Sequence, residues 1–263
     1  MKRLLEGKVA IVSGIGPGMG RDISLQFAEH GAKVVAGART KDNVDAVVKE
    51  IQAVGGDALG VQLDITDQAS CDAAAAAAVD EYGRVDVLVN NAFSDGDHRS
   101  FTSADLDNWR GTMEVNFFGT LQLTQSVVPI MKDQGDGRII MINSMSSVRI
   151  DARFGAYAAS KAALAAATKT LATELGQFGI RVNAVHPGYI WSDKQKMWFE
   201  YLASRNGITY EEQFEQIAGS AALRYLPDSS EIAGAVVFFA SDLAKPITGQ
   251  ALHVNGGHWF GGF

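Results

Sequence analysis

The sequence predicts a doubly wound α/β fold: one parallel sheet of about seven strands, helices on both faces, in a single domain spanning residues 1–263. Three observations carry that expectation. Short apolar runs alternate with longer helical stretches from end to end, and runs of four to six apolar residues suit strands buried on both faces. The first run ends in a glycine-rich turn, Ser13-Gly14-Ile15-Gly16-Pro17-Gly18-Met19-Gly20, that opens directly into a helical stretch. The alternation has no linker and no internal repeat, which implies strands joined by crossover helices.

Taken in order, residues 8–13 form the first strand and 21–30 the first helix, with Ile23, Leu25 and Phe27 apolar and Gly31 as the C-terminal cap. Residues 33–38 are the second strand, and a helix runs from about 42 to 53. Residues 58–63 are the third strand, followed by Asp64-Ile65. Thr66 or Asp67 caps an alanine-rich helix that reaches Tyr82. Residues 85–89 are a strand ending in Asn90-Asn91-Ala92, adjacent amides that suit either a turn or a site. The loop 93–103 carries Asp95, Asp97, His98 and Arg99, read as solvated. A long helix covers about 107–132 with Asn116 in an apolar stretch, where its amide needs a partner. Residues 137–143 are a strand with Ser144 directly after it. Tyr157 opens the helix 156–178. Residues 180–186 form a strand ending in Pro187-Gly188-Tyr189-Ile190-Trp191-Ser192. An insertion at about 193–226 reads as two short helices, 194–204 and 210–219. Pro227-Asp228 starts a helix through Ala240, and 250–254 is the last strand, before Asn255-Gly256-Gly257.

Composition narrows the function classes. The chain has 263 residues, 47% hydrophobic, and a net charge of -7. The size and apolar share suit one large core, and the acidic balance gives no reason to expect a nucleic-acid partner. One cysteine, Cys71, allows no internal disulfide and reads as a packed small residue. There is no signal-peptide pattern and no apolar run long enough to span a bilayer, so a cytoplasmic protein is expected. The five histidines show no ligand spacing, and no metal is expected.

Two features carry chemistry. Tyr157 and Lys161 stand four apart on one helix and so share a face. A phenol of pKa near ~10 is lowered by a nearby ammonium, which makes the pair an acid/base device for a hydroxyl proton. The glycine turn lets backbone N–H groups approach a pyrophosphate at a helix N-terminus. A glycine turn alone is a weak signal, since any tight strand-to-helix turn favours glycine. After the second strand stand Ala38 and Arg39, where an acidic residue would bind the ribose hydroxyls of NAD. Arg39 is either a solvated loop residue or a holder of a 2′-phosphate.

In this order, these residues resemble the short-chain dehydrogenase/reductase family over essentially the whole chain. Ser13-Gly14-xxx-Gly18-x-Gly20 is similar to its nucleotide turn, with Ser for the usual Thr. Asn90-Asn91-Ala92 is similar to its Asn-Asn-Ala-Gly element, with Phe93 in place of the Gly. Pro187-Gly188-xxx-Ser192 is similar to the element that holds the nicotinamide carboxamide, and Asn255-Gly256-Gly257 to the terminal Asp-Gly-Gly. Asn116, Ser144, Tyr157 and Lys161 fall on the family's four catalytic positions, Ser144 lying thirteen residues before Tyr157; Ser146 is an alternative if the loop has slipped.

The resemblance implies a Rossmann-type enzyme that interconverts a carbonyl and an alcohol with NADP (NADPH), NAD being possible. Ser144 would polarise the carbonyl, Tyr157 donate the proton, Lys161 hold the nicotinamide ribose and Asn116 hold a relay water. Ser13, Gly14, Gly16, Gly18, Met19 and Gly20 would bind the pyrophosphate. Arg39, Asp64 and Ile65 would bind the adenosine end. Asn90, Ala92, Tyr157, Lys161, Pro187, Gly188, Ile190 and Ser192 would surround the nicotinamide. The family's basic residue before the second glycine is absent, Pro17 standing there, which leaves Arg39 as the NADP determinant. The insertion becomes a substrate lid, and its Met197, Trp198, Phe199, Tyr201, Tyr210 and Phe214 point to a bulky apolar substrate. A 3-oxoacyl thioester reductase acting on an acyl carrier and a non-catalytic dinucleotide sensor are the rival readings. The family's habit also implies a homotetramer, with helices 107–132 and 156–178 paired across a two-fold axis and Trp259, Phe260 and Phe263 at another interface.

Overall fold

The computed structural model describes residues 3–260. Among them, seven parallel strands form one sheet: β1 (Val9–Ser13), β2 (Lys33–Ala38), β3 (Ala58–Gln62), β4 (Val87–Asn90), β5 (Gly137–Ile142), β6 (Ile180–Pro187) and β7 (Ala251–Val254), in the order β3-β2-β1-β4-β5-β6-β7. The order reverses between β1 and β4, where Ala10 pairs with Val34 on one side and Val87 on the other. Open α/β sheets bind their ligands outside the carboxyl ends of the strands at such a reversal.

Alternation along the strands divides the core. On one face Ala10, Val12, Val34 and Ala36 pack with Phe27 of α1 (Met19–Glu29), Val44, Val47 and Ile51 of α2 (Lys41–Ala53), and Ile232 and Val236. On the other face Val9, Ile11 and Val35 pack with Cys71 and Ala74 of α3 (Gln68–Tyr82) and with Leu123, Val127 and Leu164. Cys71 is fully buried, and burial pushes its thiol up to about 12, in keeping with a packed, unreactive residue.

The stretch expected as one helix over 107–132 is α4 (Leu106–Met113), a π-helical turn (Glu114–Gly119) and α5 (Thr120–Gln134). The wide turn falls on Asn116, which is fully buried. Its Oδ1 accepts from the Ser94 N–H at 2.7 Å, and its amide donates to the Ser94 carbonyl at 2.8 Å and to Ser160 Oγ at 2.9 Å. One side chain thereby ties the loop after β4 to α6 (Gly155–Leu175). Such π-bulges cluster at functional sites.

The insertion forms α7 (Asp193–Asn206) and α8 (Tyr210–Ala218). It has its own small core, with Phe199 fully buried beside Ala218 and Leu226 and with Trp191, Tyr210 and Phe214 packed on them. Its two ends meet where the Trp191 N–H donates to the Pro227 carbonyl at 2.8 Å and Trp191 bridges to Asp228, and the Leu223 and Ala222 N–H groups tie it to the carbonyls of Gly256 and Gly257 at 2.9 and 3.3 Å. Asp228 then caps α9 (Ser229–Ala240) in a capping box with Glu231.

Candidate active site

The glycine turn is fixed from both sides. Ser13 Oγ donates to the Val89 carbonyl at 3.2 Å and accepts from the Asn91 N–H at 3.1 Å; the Asn91 amide donates to the carbonyls of Ser13 and Gly14 at 3.1 and 2.9 Å. These bonds lock the carboxyl end of β1 to that of β4. Gly14 has φ +75°, and a Cβ there would lie 2.5 Å from the Ala92 backbone. Gly14 is therefore demanded by the fold itself. Gly16 and Gly18 are different, since a Cβ on either would meet nothing within 4 Å. Packing does not explain those two glycines. The open space over them, together with an α1 N-terminus that has no side-chain cap, fits a bound pyrophosphate.

From this turn a groove runs past Ala38, Arg39 and Thr40 to Asp64, Ile65 and Thr66. Arg39 is exposed and, among the described residues, makes no ion pair. Asp64 Oδ1 accepts from the Thr66 N–H at 3.0 Å and hydroxyl at 2.7 Å. Those bonds, with the Arg39 charge behind them, hold its carboxyl below the usual carboxylate range. Asn90 turns the other way. Its amide donates to Thr124 Oγ1 at 3.1 Å, and the residue does not line the groove, whereas its neighbour Asn91 does.

The groove meets a second cavity at Phe93, which lines both and sets its ring edge-on to Tyr157 with centroids 6.4 Å apart. Ser144, Ser146, Tyr157, Gly188, Ile190 and Ser192 also line this cavity. Ser144 Oγ accepts from the Ser146 N–H at 3.1 Å, which caps the turn Met145–Ser147. Tyr157 and Ser144 share this wall, and the Ser144 hydroxyl favours the charged phenol, while Ser146 also lines the cavity and has no such effect. Burial pushes the phenol up to about 12; the Ser144 hydroxyl pulls it down and the Asp95 charge adds to the rise. Lys161 donates to the Ile142 carbonyl at 2.8 Å, and its Nζ lies 5.7 Å from the Tyr157 ring centre. Burial lowers the ammonium to about 7. The lowering expected of Lys161 does not appear among the influences on the phenol; burial dominates at both groups.

Asn116 reaches this cluster only through Ser160, whose Oγ donates to the Tyr157 carbonyl at 2.7 Å. Both amide protons of Asn116 are already engaged, so a relay water would have to donate to an oxygen rather than accept from its amide. Pro187 ends β6, and Gly188 is required by close approach, since a Cβ would lie 2.7 Å from Asn255. Ser192 Oγ accepts from the Gln195 N–H at 3.2 Å and caps α7.

The loop 93–103, expected to be solvated, is solvated over 99–103, but its first part is drawn over the cavity through Asp95 and His98. The Asp97 N–H donates to Asn108 Oδ1 at 2.9 Å, and the His98 ring sits 4.4 Å from that of Phe154. Asp95, His98, Asp151, Phe154, Tyr189 and Gln195 line the cavity and had no local signal, because long-range folding of polar loops places them. Of the aromatics in the insertion, Trp198 lines the cavity, while Phe199, Tyr210 and Phe214 belong to the insertion's own core. Trp259 packs on His253, Phe260 is exposed, and Phe263 lies outside the described residues.

The family model described as enoyl-(acyl carrier protein) reductase matches residues 14–258. The 3-oxoacyl-[acyl-carrier-protein] reductase FabG of Thermotoga maritima is 35% identical, covering 96% of this chain and 98% of that protein. A solved 7alpha-hydroxysteroid dehydrogenase complexed with NADH and 7-oxo glycochenodeoxycholic acid superposes with TM-score 0.85 and 36% identity, covering 96% of this chain and 94% of that one. A variant of actinorhodin polyketide ketoreductase, solved with NADPH, superposes with TM-score 0.89 and 31% identity, covering 98% of this chain and 99% of that one.

Proposed function

The chain belongs to the short-chain dehydrogenase/reductase family, and from that premise we propose an NADP-dependent reductase of a bulky, largely apolar ketone, running reversibly with the alcohol. That it is a nicotinamide-dependent oxidoreductase acting on C=O and CH–OH follows from the family. The cofactor preference and the substrate are this proposal's own. The observation that carries it is the Ser144–Tyr157–Lys161 cluster at the wall of a mainly apolar cavity that opens at Phe93 onto the dinucleotide groove.

Bound in the groove, the nicotinamide dinucleotide supplies or removes the hydride. Gly16, Gly18 and the first N–H groups of α1 hold the pyrophosphate. Arg39 meets the 2′-phosphate, and Asp64 and Ile65 flank the adenine. Ala92, Pro187, Gly188, Ile190 and Ser192 orient the nicotinamide. Ser144 donates to the substrate oxygen and polarises the carbonyl. Tyr157, held protonated at neutral pH by burial, gives its proton to that oxygen as carbon is reduced and takes it back in the reverse direction. Lys161 fixes the ribose beside the phenol. Asn116 holds α6 in register through Ser160 and anchors a proton path to solvent. Trp198 and the loop 93–103 exclude water from the reacting carbon.

The acyl-carrier reading draws on the similarity to FabG and on no observation in this cavity. A sensor has no use for the catalytic cluster. A homotetramer built on α5 and α6 is part of the proposal. Leu121, Val128 and Leu171 line an apolar groove between those helices, and Ala162 and Ala166 are exposed beside it. Light scattering that gave a monomer mass would remove it.

The deciding experiment measures dissociation constants for NADPH and NADH, with the parent and with Arg39→Ala, followed by turnover on a ketone panel. NADPH is expected to bind the parent more tightly, and Arg39→Ala to weaken it by roughly 10–100-fold, the equivalent of one charge-assisted contact. Equal affinities in the parent would overturn the NADP assignment. Best turnover on short keto acids or sugars would overturn the substrate class.

A further inference from the structure

The turn that carries Ser144 is tied to the neighbouring strand by a buried pair that stands behind the catalytic cluster. Along β6, Ala184 packs in the core with Leu164 of α6, so alternation sets His186, two residues on, on that same face. There it is buried beside Ser147, the last residue of the turn. Ser147 Oγ lies 2.8 Å from the Ser144 carbonyl and 3.3 Å from His186 Nδ1. A hydroxyl has one proton to give. The shorter contact, to the carbonyl, takes it, so the Ser147 oxygen accepts from His186 Nδ1–H. Burial, with the charges of His253, Lys161 and Lys169, lowers the imidazole to about 4, so the ring is neutral at pH 7. The His253 ring of β7 lies edge-on at 5.0 Å and fixes its plane.

We infer that His186 is a positioning residue: through Ser147 it holds the Ser144 carbonyl, and with it the Ser144 hydroxyl, where a substrate oxygen is polarised. This rests on the reading of the protein as a carbonyl reductase and adds a supporting pair behind its cluster. The other side-chain bonds of the turn are local. The Ser144 N–H donates to Asn143 Oδ1 at 2.9 Å, and the Ser146 N–H to Ser144 Oγ at 3.1 Å. These close the turn on itself, whereas the His186–Ser147 contact fastens its far end to β6. Charge grows on the substrate oxygen only as hydride arrives. A donor displaced from that oxygen therefore loses more of its effect on the transition state than on the ground state, and the loss falls on kcat rather than on dinucleotide binding.

The test measures kcat and KM on 2-decalone, or on the best ketone of the panel, together with the dinucleotide Kd and the thermal midpoint. It compares the parent with His186→Leu, His186→Asn, Ser147→Ala and the double variant His186→Leu/Ser147→Ala. His186→Leu is expected to lower kcat roughly 10–100-fold, the scale of an ångström of misplacement, with the dinucleotide Kd nearly unchanged. His186→Asn sets an amide N–H near the place of Nδ1–H and is expected to recover most of that loss. Ser147→Ala should lower kcat alike, and the double variant should fall no further than the worse single, the mark of residues that act as one unit. Should His186→Leu fold poorly, Ser147→Ala carries the same test. An unchanged kcat in the folded fraction of His186→Leu and Ser147→Ala overturns the inference, including where both melt lower. Losses that multiply in the double variant overturn it too, as does an Asn variant as slow as the Leu one. A parent inert toward every ketone of the panel overturns the reductase reading and this one with it.

Discussion

The two ends of the sheet treat charge in opposite ways. At the amino-terminal edge, Asp86 is fully buried, yet every neighbour compensates it. The Val9 N–H donates to it at 2.9 Å, Arg84 binds both carboxylate oxygens at 2.7 and 2.9 Å, and Lys8 lies 3.4 Å away. Burial alone would raise that carboxyl; the Arg84 and Val9 hydrogen bonds and the two cations hold it below its ordinary range. At the carboxyl edge, Lys161 is as deeply placed, with the Ile142 carbonyl as its hydrogen-bond acceptor and, among the described residues, no carboxylate paired with it. Its proton affinity falls, and that of Tyr157 rises. One edge uses its polar groups to hold strands together. The other also locks strands together, through Ser13 and Asn91, yet leaves the buried Lys161 ammonium with no carboxylate beside it among the described residues.

The comparison is tested most severely by Tyr157→Phe. Removing one hydroxyl from the carboxyl edge is expected to lower kcat by roughly 10²–10⁴-fold while leaving the thermal midpoint nearly unchanged. Near-full turnover on a ketone that the parent reduces would remove Tyr157 from its role.

Asp86→Ala should do the reverse. It strands Arg84 and the Val9 N–H and leaves Lys8 its Asp136 contact at 3.6 Å, at a cost of about 2–3 kcal/mol, below the ~3–5 kcal/mol of a fully buried pair because both cations are partly exposed. Turnover of the remaining folded enzyme should stay within about twofold, since a substitution this far from the reacting groups changes stability alone. The carboxyl is depressed in the folded state, so its contribution is complete above the unfolded pKa near ~3.9 and is lost as pH falls through the lower folded value. Denaturant titrations across that acid window should show parent and variant converging.

Lys161→Met sharpens the contrast from the other side. The folded ammonium titrates near 7 while the unfolded one holds its proton to about 10.5. Between those values the unfolded chain binds more protons, so this group's penalty is full below 7 and fades as pH rises. The Met variant should be inactive, should melt higher at pH 7 by at least ~2–4 °C, the shift that corresponds to about 1 kcal/mol in a chain of this size, and should lose that advantage by pH ~10. A lower midpoint at pH 7 would show that the Ile142 contact outweighs desolvation.

The smallest effect belongs to the turn. Gly16→Ala should change stability by no more than ~0.5 kcal/mol and still weaken dinucleotide binding, whereas Gly14→Ala should cost stability outright, through its φ of +75° and the Ala92 backbone 2.5 Å away. Equal stability losses would remove the distinction between a glycine the fold needs and one the ligand needs.

How far the sequence revealed these regions follows from range. Strands β1, β2, β4, β5 and β6 and the turn after β1 were legible because buried parallel strands write continuous apolar runs and a strand-to-helix turn writes glycine; β3 and β7, the half-exposed edges, followed from the alternation of strands and helices. Asn116, Ser144, Tyr157 and Lys161 were legible through a family resemblance whose spacings lie within or at the ends of regular elements. The π-turn around Asn116 was not, since Glu114–Gly119 has unremarkable helical composition and the turn is tied to Ser94 and Ser160. His98 was not legible either. Nothing local separates a polar loop residue in water from one pressed against Phe154. Asn90 and Asn91 were indistinguishable as a pair, because alternation along a strand end decides which of two adjacent side chains faces the groove and which faces α5. In the insertion, composition identified aromatics without revealing that most of them pack on one another.

The join between Trp191 and Asp228 brings the two ends of the intervening chain together, so its middle can vary in length. With the ends held together, doubling the excursion adds only about 0.6 kcal/mol of closure entropy. With a core centred on Phe199, the segment is an exchangeable cassette. Descendants of this chain can replace it and acquire new substrates while the proton and hydride apparatus stays as it is, so in such a lineage substrate range diverges faster than chemistry.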